Sequence, residues 1–158
     1  MIAVLKPFAH WLASTEWFMR VGPRFVPQVD RVLYRLTRGR MISSDRVVPS
    51  LVLFTTGAKS GLERRSPLAC LPEQDGGFIV VGSNFGRETH PAWSANLIKN
   101  PEARVSHRGR EIPVVATLLT GEARVEAWPR LTANWPLYDR YADKSGRELR
   151  VFRLTPVQ

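Results

Sequence analysis

Polar residues able to bind a charged ligand follow an apolar segment, Leu51–Thr55, in this 158-residue chain. They are a lysine, two hydroxyl residues and two glycines, with an arginine close behind: Thr56, Gly57, Lys59, Ser60, Gly61 and Arg64. Glycine permits positive φ and close backbone approach, so that amide N–H groups, hydroxyls and the ammonium group can converge on phosphate oxygens. The run predicts an anion site, although it also suits an ordinary hairpin turn with a solvated lysine.

A second glycine-bracketed run, Gly82–Gly86, follows the apolar segment Phe78–Val81 and contains Ser83 and Asn84. Shortly after it, Pro91-Ala92-Trp93 predicts the start of a helix. Two strand ends that carry small polar residues predict one shared ligand site. Neither run has the spacing of a Walker phosphate loop or of a Rossmann dinucleotide fingerprint.

No group of side chains provides acid–base, nucleophilic or metal chemistry by its spacing. A Gly-x-Ser-x-Gly elbow is absent, and Cys70 and the three histidines lack the spacing of a zinc site, so we predict no metal. Such a chain suits cofactor-dependent chemistry, in which the protein supplies binding and orientation. The lone Cys70 excludes an internal disulfide and favours a reducing compartment.

Alternating apolar residues and turn signals predict a mainly β fold of the α+β class. Six strands are expected, at Leu51–Thr56, Arg64–Leu71, Phe78–Gly82, Ala103–His107, Glu111–Leu118 and Leu149–Leu154. Helices are expected at Pro91–Lys99 and Gly121–Tyr141, the latter broken near Pro129 and Pro136 because proline interrupts helix hydrogen bonding. We expect an antiparallel Greek-key barrel with flanking helices, and an interior that includes Ile79 and Val81.

The N-terminal part predicts an amphipathic helical hairpin, with helices over Ile2–Met19 and Pro27–Arg38. A polar linker, Arg38–Asp45, would separate a helical extension at residues 1–40 from a barrel domain at residues 46–158. Arginines of the second helix share one face. Either this hairpin lies on an anionic bilayer, or it packs on the barrel with its arginines in water.

The net charge of +9 favours an anionic partner such as a phosphorylated cofactor or an acidic membrane surface. The strands lack the interleaved aromatic and basic residues of a nucleic-acid surface, so we predict no nucleic-acid partner. No apolar stretch is long enough to span a bilayer, and no secretory signal is recognisable. A cytoplasmic protein, with peripheral attachment to the inner face of the cell membrane left open, is therefore expected.

Several of these motifs occur in a characteristic order. They are Thr56–Gly61, Arg64, Ser66–Leu68, Gly82–Gly86, His90–Trp93 and Asn96–Pro101. This order resembles the deazaflavin (F420)-dependent nitroreductase family, split β-barrel proteins of the broader flavin mononucleotide (FMN)-binding superfamily. The resemblance implies hydride transfer from the reduced 5-deazaflavin coenzyme F420 to a quinone or nitro acceptor. FMN or haem binding, or deazaflavin storage without catalysis, are the alternatives.

The resemblance also implies roles for individual residues. Lys59, Ser60 and Arg64 would bind the coenzyme's phosphate and acidic tail. The residues implied beside the coenzyme are Pro67, Gly82, Ser83, Asn84, Gly86, Pro91, Ala92 and Trp93. Ser83 is also a candidate hydrogen-bond donor to the substrate. Asn84 stands where the family often has lysine, which removes one cationic contact to the tail.

Tyrosines are the substrate-side residues that the resemblance implies. Tyr138 and Tyr141 match two of them, and Trp135 stands where a third often occurs. Their i, i+3 spacing puts the two tyrosines on one helical face. Ala69 replaces the strand tyrosine of nitroimidazole-reducing members, which predicts a roomier acceptor pocket and argues against nitroimidazole activation.

Overall fold

The computed structural model describes Trp11, residues 15–36 and residues 48–158. An N-terminal helix precedes a mainly β region whose strands alternate with short helices. In chain order the elements are α1 (Glu16–Leu36), β1 (Ser50–Thr56), β2 (Glu63–Ala69), β3 (Leu71–Pro72), β4 (Phe78–Gly82), a 3-10 turn (Asn84–Gly86), α2 (Ala92–Lys99), β5 (Glu102–His107), β6 (Arg110–Leu118), α3 (Gly121–Asn134), α4 (Leu137–Ser145) and β7 (Arg150–Pro156).

Within the described residues the seven strands form one sheet in the order β2-β1-β5-β6-β7-β4-β3. Every pairing is antiparallel. β2 and β3 are consecutive in the chain yet lie at opposite edges of the sheet, so the barrel is split between them. The predicted fold, a split antiparallel barrel with flanking helices, is confirmed.

The single predicted strand Arg64–Leu71 is divided in the structure. β2 pairs with β1, whereas β3 pairs with β4. The change occurs at buried Cys70, whose N–H donates to Pro49 O at 2.8 Å. The chain therefore leaves one edge of the sheet and joins the other within a residue, which adds a seventh strand to the six expected.

The barrel interior contains most of the predicted core, but the predicted facing of β4 is wrong. Phe78 and Val80 lie in the interior cluster with Leu51 and Phe152. Ile79 and Val81 instead pack against α3 and α4, in a second cluster. All residues of β4 are buried, so apolar character alone could not indicate which alternate residues face inward.

The predicted break between two N-terminal helices is also wrong, because α1 runs without interruption from Glu16 to Leu36. Its inward positions continue at helical spacing through the expected break, with Gly22 and Asp30 buried and Val26 partly buried. Packing of this face stabilises the helix beyond its local propensity. The remainder of the first predicted helix and the linker Arg38–Asp45 lie outside the described residues.

α1 contacts the barrel near both of its ends. Phe18 packs on the cluster that contains Tyr138 and Tyr141, and the Tyr34 ring lies 6.5 Å from that of Phe54. The division into an extension at residues 1–40 and a domain at residues 46–158 stays a prediction. None of the described helices has the length and apolar character to cross a membrane.

The late helical region has one break where two were expected. Pro129 lies inside α3 and does not interrupt it. The break comes at Trp135 and Pro136, after which α4 begins. This turn directs Tyr138 and Tyr141 inward, where both are buried.

Candidate active site

The loop after β1 is held together by its own backbone. The N–H of Gly57 donates to Leu62 O at 2.8 Å, and the N–H of Gly61 donates to Gly57 O at 2.9 Å. A Cβ on Gly57 would come 2.5 Å from Ser60 Oγ, so a larger residue there would displace the Ser60 side chain. The N–H groups of Gly57 and Gly61 therefore donate within the loop, and the expectation that they bind an anion stays a prediction.

Asn96, on α2, anchors this loop to the barrel. Its Oδ1 accepts the N–H of Ala58 at 2.8 Å, and its Nδ2 donates to Thr55 Oγ1 at 3.0 Å. The Lys99 ammonium donates to Ala58 O. The sequence indicated Asn96 only as part of a motif. Its contacts fix the position of the loop on the barrel.

The side chains of this loop offer exposed cationic and hydroxyl groups to an anion. Lys59 and Arg64 are exposed, and Arg64 Nη2 donates to Ser60 Oγ at 3.4 Å. Arg65 is exposed on the same strand. The first run therefore provides an open, positively charged surface, with Thr56 exposed at its start.

The loop after β4 has a tighter form. Asn84, Phe85 and Gly86 have positive φ values of 47°, 55° and 75°. Asparagine tolerates this left-handed conformation better than most residues, and Asn84 Nδ2 stabilises it by donating to Thr89 O at 2.9 Å. The side-chain amide of Asn84 is therefore hydrogen-bonded within the loop.

A cavity of about 470 Å³ opens beside this loop. Its walls come from α1, β2, the loop after β4, the start of α2 and the α3–α4 turn. The lining residues that bear on function are Asp30, Arg31, Arg65, Pro67, Ala69, Ser83, Asn84, Phe85, Pro91, Trp93, Trp135, Tyr138 and Tyr141. This volume lies within the range of cofactor and small-molecule sites.

The predicted site residues fall into two groups. Those in the cavity wall are Pro67, Ser83, Asn84, Pro91, Trp93, Tyr138 and Tyr141. Those on or beside the loop after β1 are Thr56, Gly57, Lys59, Ser60, Gly61 and Arg64. β2 connects the groups, because it begins at that loop and its residues from Arg65 to Ala69 line the cavity.

Gly82, Gly86 and Ala92 are absent from the described cavity lining. Gly82 ends β4 and Ala92 begins α2. Gly86 packs against α4, where an added Cβ would come 3.3 Å from Tyr141 Cα. Their predicted place beside the coenzyme stays a prediction.

The two tyrosines are neutral hydrogen-bonding groups at physiological pH. Burial raises the pKa of Tyr141 to about 12, opposed by a hydrogen bond with Trp135. Burial likewise raises the pKa of Tyr138 far above its ordinary value. The Phe85 ring meets the Tyr141 ring edge-on, with centroids 6.3 Å apart. A flat, largely apolar ligand would therefore meet fixed aromatic walls.

Trp93 lies both in the cavity wall and against the barrel core. It lines the cavity, and its ring lies 5.7 Å from that of Phe152 in the barrel core. Its exposure is 5%, so its orientation is set by packing. Trp93 is thus a rigid wall for a ring-shaped ligand.

Sequence reasoning did not identify the contribution of α1 to the cavity. Asp30 and Arg31 line it together with Phe18, Val26 and Pro27. Asp30 is a carboxylate with only 2% exposure. The helical periodicity predicted an apolar inward face, and nothing in that pattern indicated that Asp30 would lie beside a site.

The fold is a split barrel, and its site combines an exposed basic loop with an aromatic cavity. Together they define a class: split-barrel proteins suited to an anionic cofactor that contains a ring system. The sequence model of the F420H(2)-dependent quinone reductase family matches residues 28–156. The chain belongs to this family.

Curated relatives from Mycobacterium tuberculosis agree with this assignment. F420H(2)-dependent quinone reductase Rv1261c is 32% identical over 106 residues, which cover 65% of this chain and 68% of that protein. Rv3178, which carries the same name provisionally, is 29% identical over 109 residues, covering 69% of this chain and 91% of that protein.

Solved structures show the same fold. The structure of an F420-H2 dependent reductase (FDR-A) has a TM-score of 0.61 and 34% identity, covering 67% of this chain and 93% of that one. A structure described as a domain-swapped dimer has a TM-score of 0.63 and 31% identity, covering 80% of this chain and 96% of that one. A haem storage protein from Vibrio cholerae, with a TM-score of 0.52 and 16% identity, shares the fold alone, covering 82% of this chain and 91% of that one.

Proposed function

We propose that the protein is an oxidoreductase that uses reduced coenzyme F420 to reduce a quinone. The observation that carries the proposal is a single cavity lined both by the residues expected beside the coenzyme ring and by the two tyrosines expected beside the acceptor. Family membership supports the same activity. FMN and haem binding are not favoured.

The described residues fit this coenzyme. Lys59 and Arg64 offer charge-assisted hydrogen bonds to a phosphate or carboxylate, and both are exposed where a long anionic tail can reach them. Ser83, Pro91 and Trp93 would flank the ring. β2 gives a continuous path from the loop to the cavity.

When bound, the reduced coenzyme supplies a hydride, which carries two electrons and one proton. The quinone that accepts it becomes a quinolate anion, and one proton from solvent then completes the quinol. The protein aligns donor and acceptor, which requires reacting atoms about 3–3.5 Å apart. Trp93, Tyr138 and Tyr141 provide fixed walls for this alignment, and burial keeps water away from the reacting atoms.

The cavity favours a quinone over a nitroimidazole as acceptor. Ala69 lines it, at the position where the resemblance places a tyrosine in nitroimidazole-reducing members. The small side chain leaves room for a substituted bicyclic quinone. Activated nitroaromatics would undergo the same hydride chemistry, and we propose them as slower substrates.

We further propose that the protein works in the cytoplasm in peripheral contact with the inner face of the membrane. On α1 an exposed apolar stripe, defined by Phe25, Val29, Val32 and Leu36, has the spacing i, i+4, i+7, i+11. Exposed arginines form a neighbouring stripe: Arg20, Arg24, Arg31 and Arg35. Apolar insertion beside cationic side chains suits an anionic lipid surface. Phe25 and Leu36, 59% and 75% exposed, would enter the lipid.

The membrane proposal is tested by sedimentation with vesicles of phosphatidylcholine alone or mixed with phosphatidylglycerol. The wild-type chain should sediment with the anionic vesicles, and Phe25→Ser with Leu36→Ser should not. Val125→Ser, an exposed apolar residue on α3, is the matched control and should bind as wild type. Equal sedimentation of all three proteins would contradict the contact.

Activity is tested by following oxidation of the reduced coenzyme at its visible absorbance band, with a menaquinone analogue or a nitroaromatic compound as acceptor. Turnover should be faster with the quinone. Binding of the coenzyme without turnover of any acceptor would instead identify a carrier or storage protein. Tighter binding of FMN or haem than of the deazaflavin would contradict the proposal.

A further inference from the structure

Arg147 lies two residues after the end of α4 and donates four hydrogen bonds to the segment around the loop after β4. Nη1 donates to Gly82 O, Nη2 to Ser83 O and Nε to Arg87 O, each at 3.0 Å. Nη1 also lies 3.0 Å from His90 Nδ1. A guanidinium group can only donate, so Nδ1 of His90 is the acceptor. One side chain thus connects both ends of this loop.

Because two consecutive carbonyls contact one guanidinium, the orientation of their peptide units is fixed. In a trans peptide the N–H points opposite to the C=O. The N–H groups of Ser83 and Asn84 therefore point away from Arg147. Ser83 and Asn84 line the cavity, and Arg147 is absent from its described lining.

The backbone of this loop has a form known to bind anions. Ser83 is right-handed, with φ −71° and ψ −32°, and Asn84 follows with φ 47°. A right-handed residue followed by a left-handed one directs successive N–H groups into a shared concavity. Such a concavity can hold an oxygen that gains negative charge.

The Arg147 guanidinium, which holds the backbone of this loop, lies where its positive charge is disfavoured. Burial, and then repulsion from Arg150, lower the pKa of Arg147. Burial also lowers the pKa of His90, with Arg150 and Arg147 acting in the same direction, so His90 is neutral and able to accept. The hydrogen bonds to the carbonyls and His90 offset this cost.

We propose that Arg147 is a positioning residue that holds the N–H groups of Ser83 and Asn84 toward the acceptor, where they stabilise the oxygen that becomes the quinolate anion. This inference rests on the proposed function. Backbone donors arranged in advance of the reaction are among the strongest sources of transition-state stabilisation. The planar fork of arginine matches the two carbonyls, whereas a lysine ammonium cannot contact the same set in fixed geometry.

The experiment compares Arg147→Lys and Arg147→Ala with wild type and with Arg130→Ala. Arg130 is a matched control because it pairs with Glu73 on the surface. With quinone acceptor and saturating coenzyme, kcat should fall about 10²-fold in both Arg147 variants, while the coenzyme Kd changes by less than about threefold. Added guanidinium ion should partly restore kcat in Arg147→Ala and should not affect Arg147→Lys.

Amide hydrogen exchange of the full-length proteins provides a readout that needs no coenzyme. The amides of Gly86 and Arg87, which donate to Ser83 O and Asn84 O, should exchange faster in both Arg147 variants, and Arg130→Ala should match wild type. If the wild-type protein shows no turnover, the proposed function is contradicted. Hydrogen exchange then still tests whether Arg147 holds the loop after β4. Wild-type turnover with an unchanged kcat in Arg147→Lys would overturn the inference. So would unchanged exchange, or equal losses in kcat and coenzyme affinity that guanidinium does not restore.

Discussion

The loop after β1 and the loop after β4 are both polar runs bracketed by glycine, but they differ in exposure and packing. Each contains a left-handed glycine, with φ 69° at Gly61 and 75° at Gly86. A Cβ on Gly61 would meet nothing within 4 Å, whereas one on Gly86 would meet Lys144 and Tyr141. The first loop is exposed and cationic, and the second is packed against α4. A polar run bracketed by glycines can therefore present exposed charged side chains in one place and hold a closely packed backbone conformation in another.

This difference predicts which kind of substitution affects each loop. The first loop would hold the coenzyme tail through flexible charged side chains, so charge removal should weaken binding. The second loop would set the orientation of donors at the acceptor, so displacement of its backbone should affect turnover. Substitutions in the first loop should therefore change mainly the coenzyme Kd, and substitutions that displace the second loop should change mainly kcat.

Removal of both cations from the first loop should give the largest effect. Lys59→Ala combined with Arg64→Ala should raise the coenzyme Kd about 10²-fold, because each charge-assisted hydrogen bond contributes about 1.5 kcal/mol or more. The wild-type Kd should also rise more steeply with salt than that of the variant, since exposed charges are screened. Tryptophan fluorescence titration measures both. Arg110→Ala, an exposed arginine on β6, should bind as wild type. An unchanged Kd in the double variant would locate the tail elsewhere.

A matched pair of glycine substitutions tests the difference in packing. Gly61→Ala should lower the free energy of unfolding by about 1 kcal/mol, the cost of a left-handed alanine. Gly86→Ala should lower it by about 2 kcal/mol more, because its Cβ also crowds α4. Urea unfolding measures both values. Equal losses would mean that α4 moves freely away from the loop.

The smallest effect is a pH dependence of stability. Below pH 10 Tyr141 is protonated in both the folded and unfolded chains, so it adds no slope. Between pH 10 and about 12 the unfolded chain ionises first, and the free energy of unfolding falls with rising pH. In Tyr141→Phe the free energy of unfolding should fall less steeply over this range, by up to about 1.4 kcal/mol per pH unit. Urea unfolding at pH 9 and pH 11 measures it, and parallel losses in wild type and variant would contradict the burial of this hydroxyl.

The sequence predicted the fold well because strand alternation and turn residues are local signals. It failed for the facing of β4, whose residues are all buried, and for Pro129, which lies inside α3 without interrupting it. In the site, glycine and basic residues were recognised by their spacing. Asn96, Asp30 and Arg147 were assigned no role, since each lies beside residues that are distant in the chain. Asn96, for example, contacts Thr55, 41 positions away.

The separation of tail and ring sites is tested most directly with two ligands. One is the full coenzyme, and the other is a 5-deazaflavin with a ribityl chain but no phosphate or acidic tail. Both are titrated into wild type and into the combined Lys59→Ala, Arg64→Ala variant. We expect the variant to lose affinity for the full coenzyme about 10²-fold while binding the tail-less ligand as wild type does. An equal loss of affinity for both ligands would contradict the division between a cationic loop for the tail and an aromatic cavity for the ring.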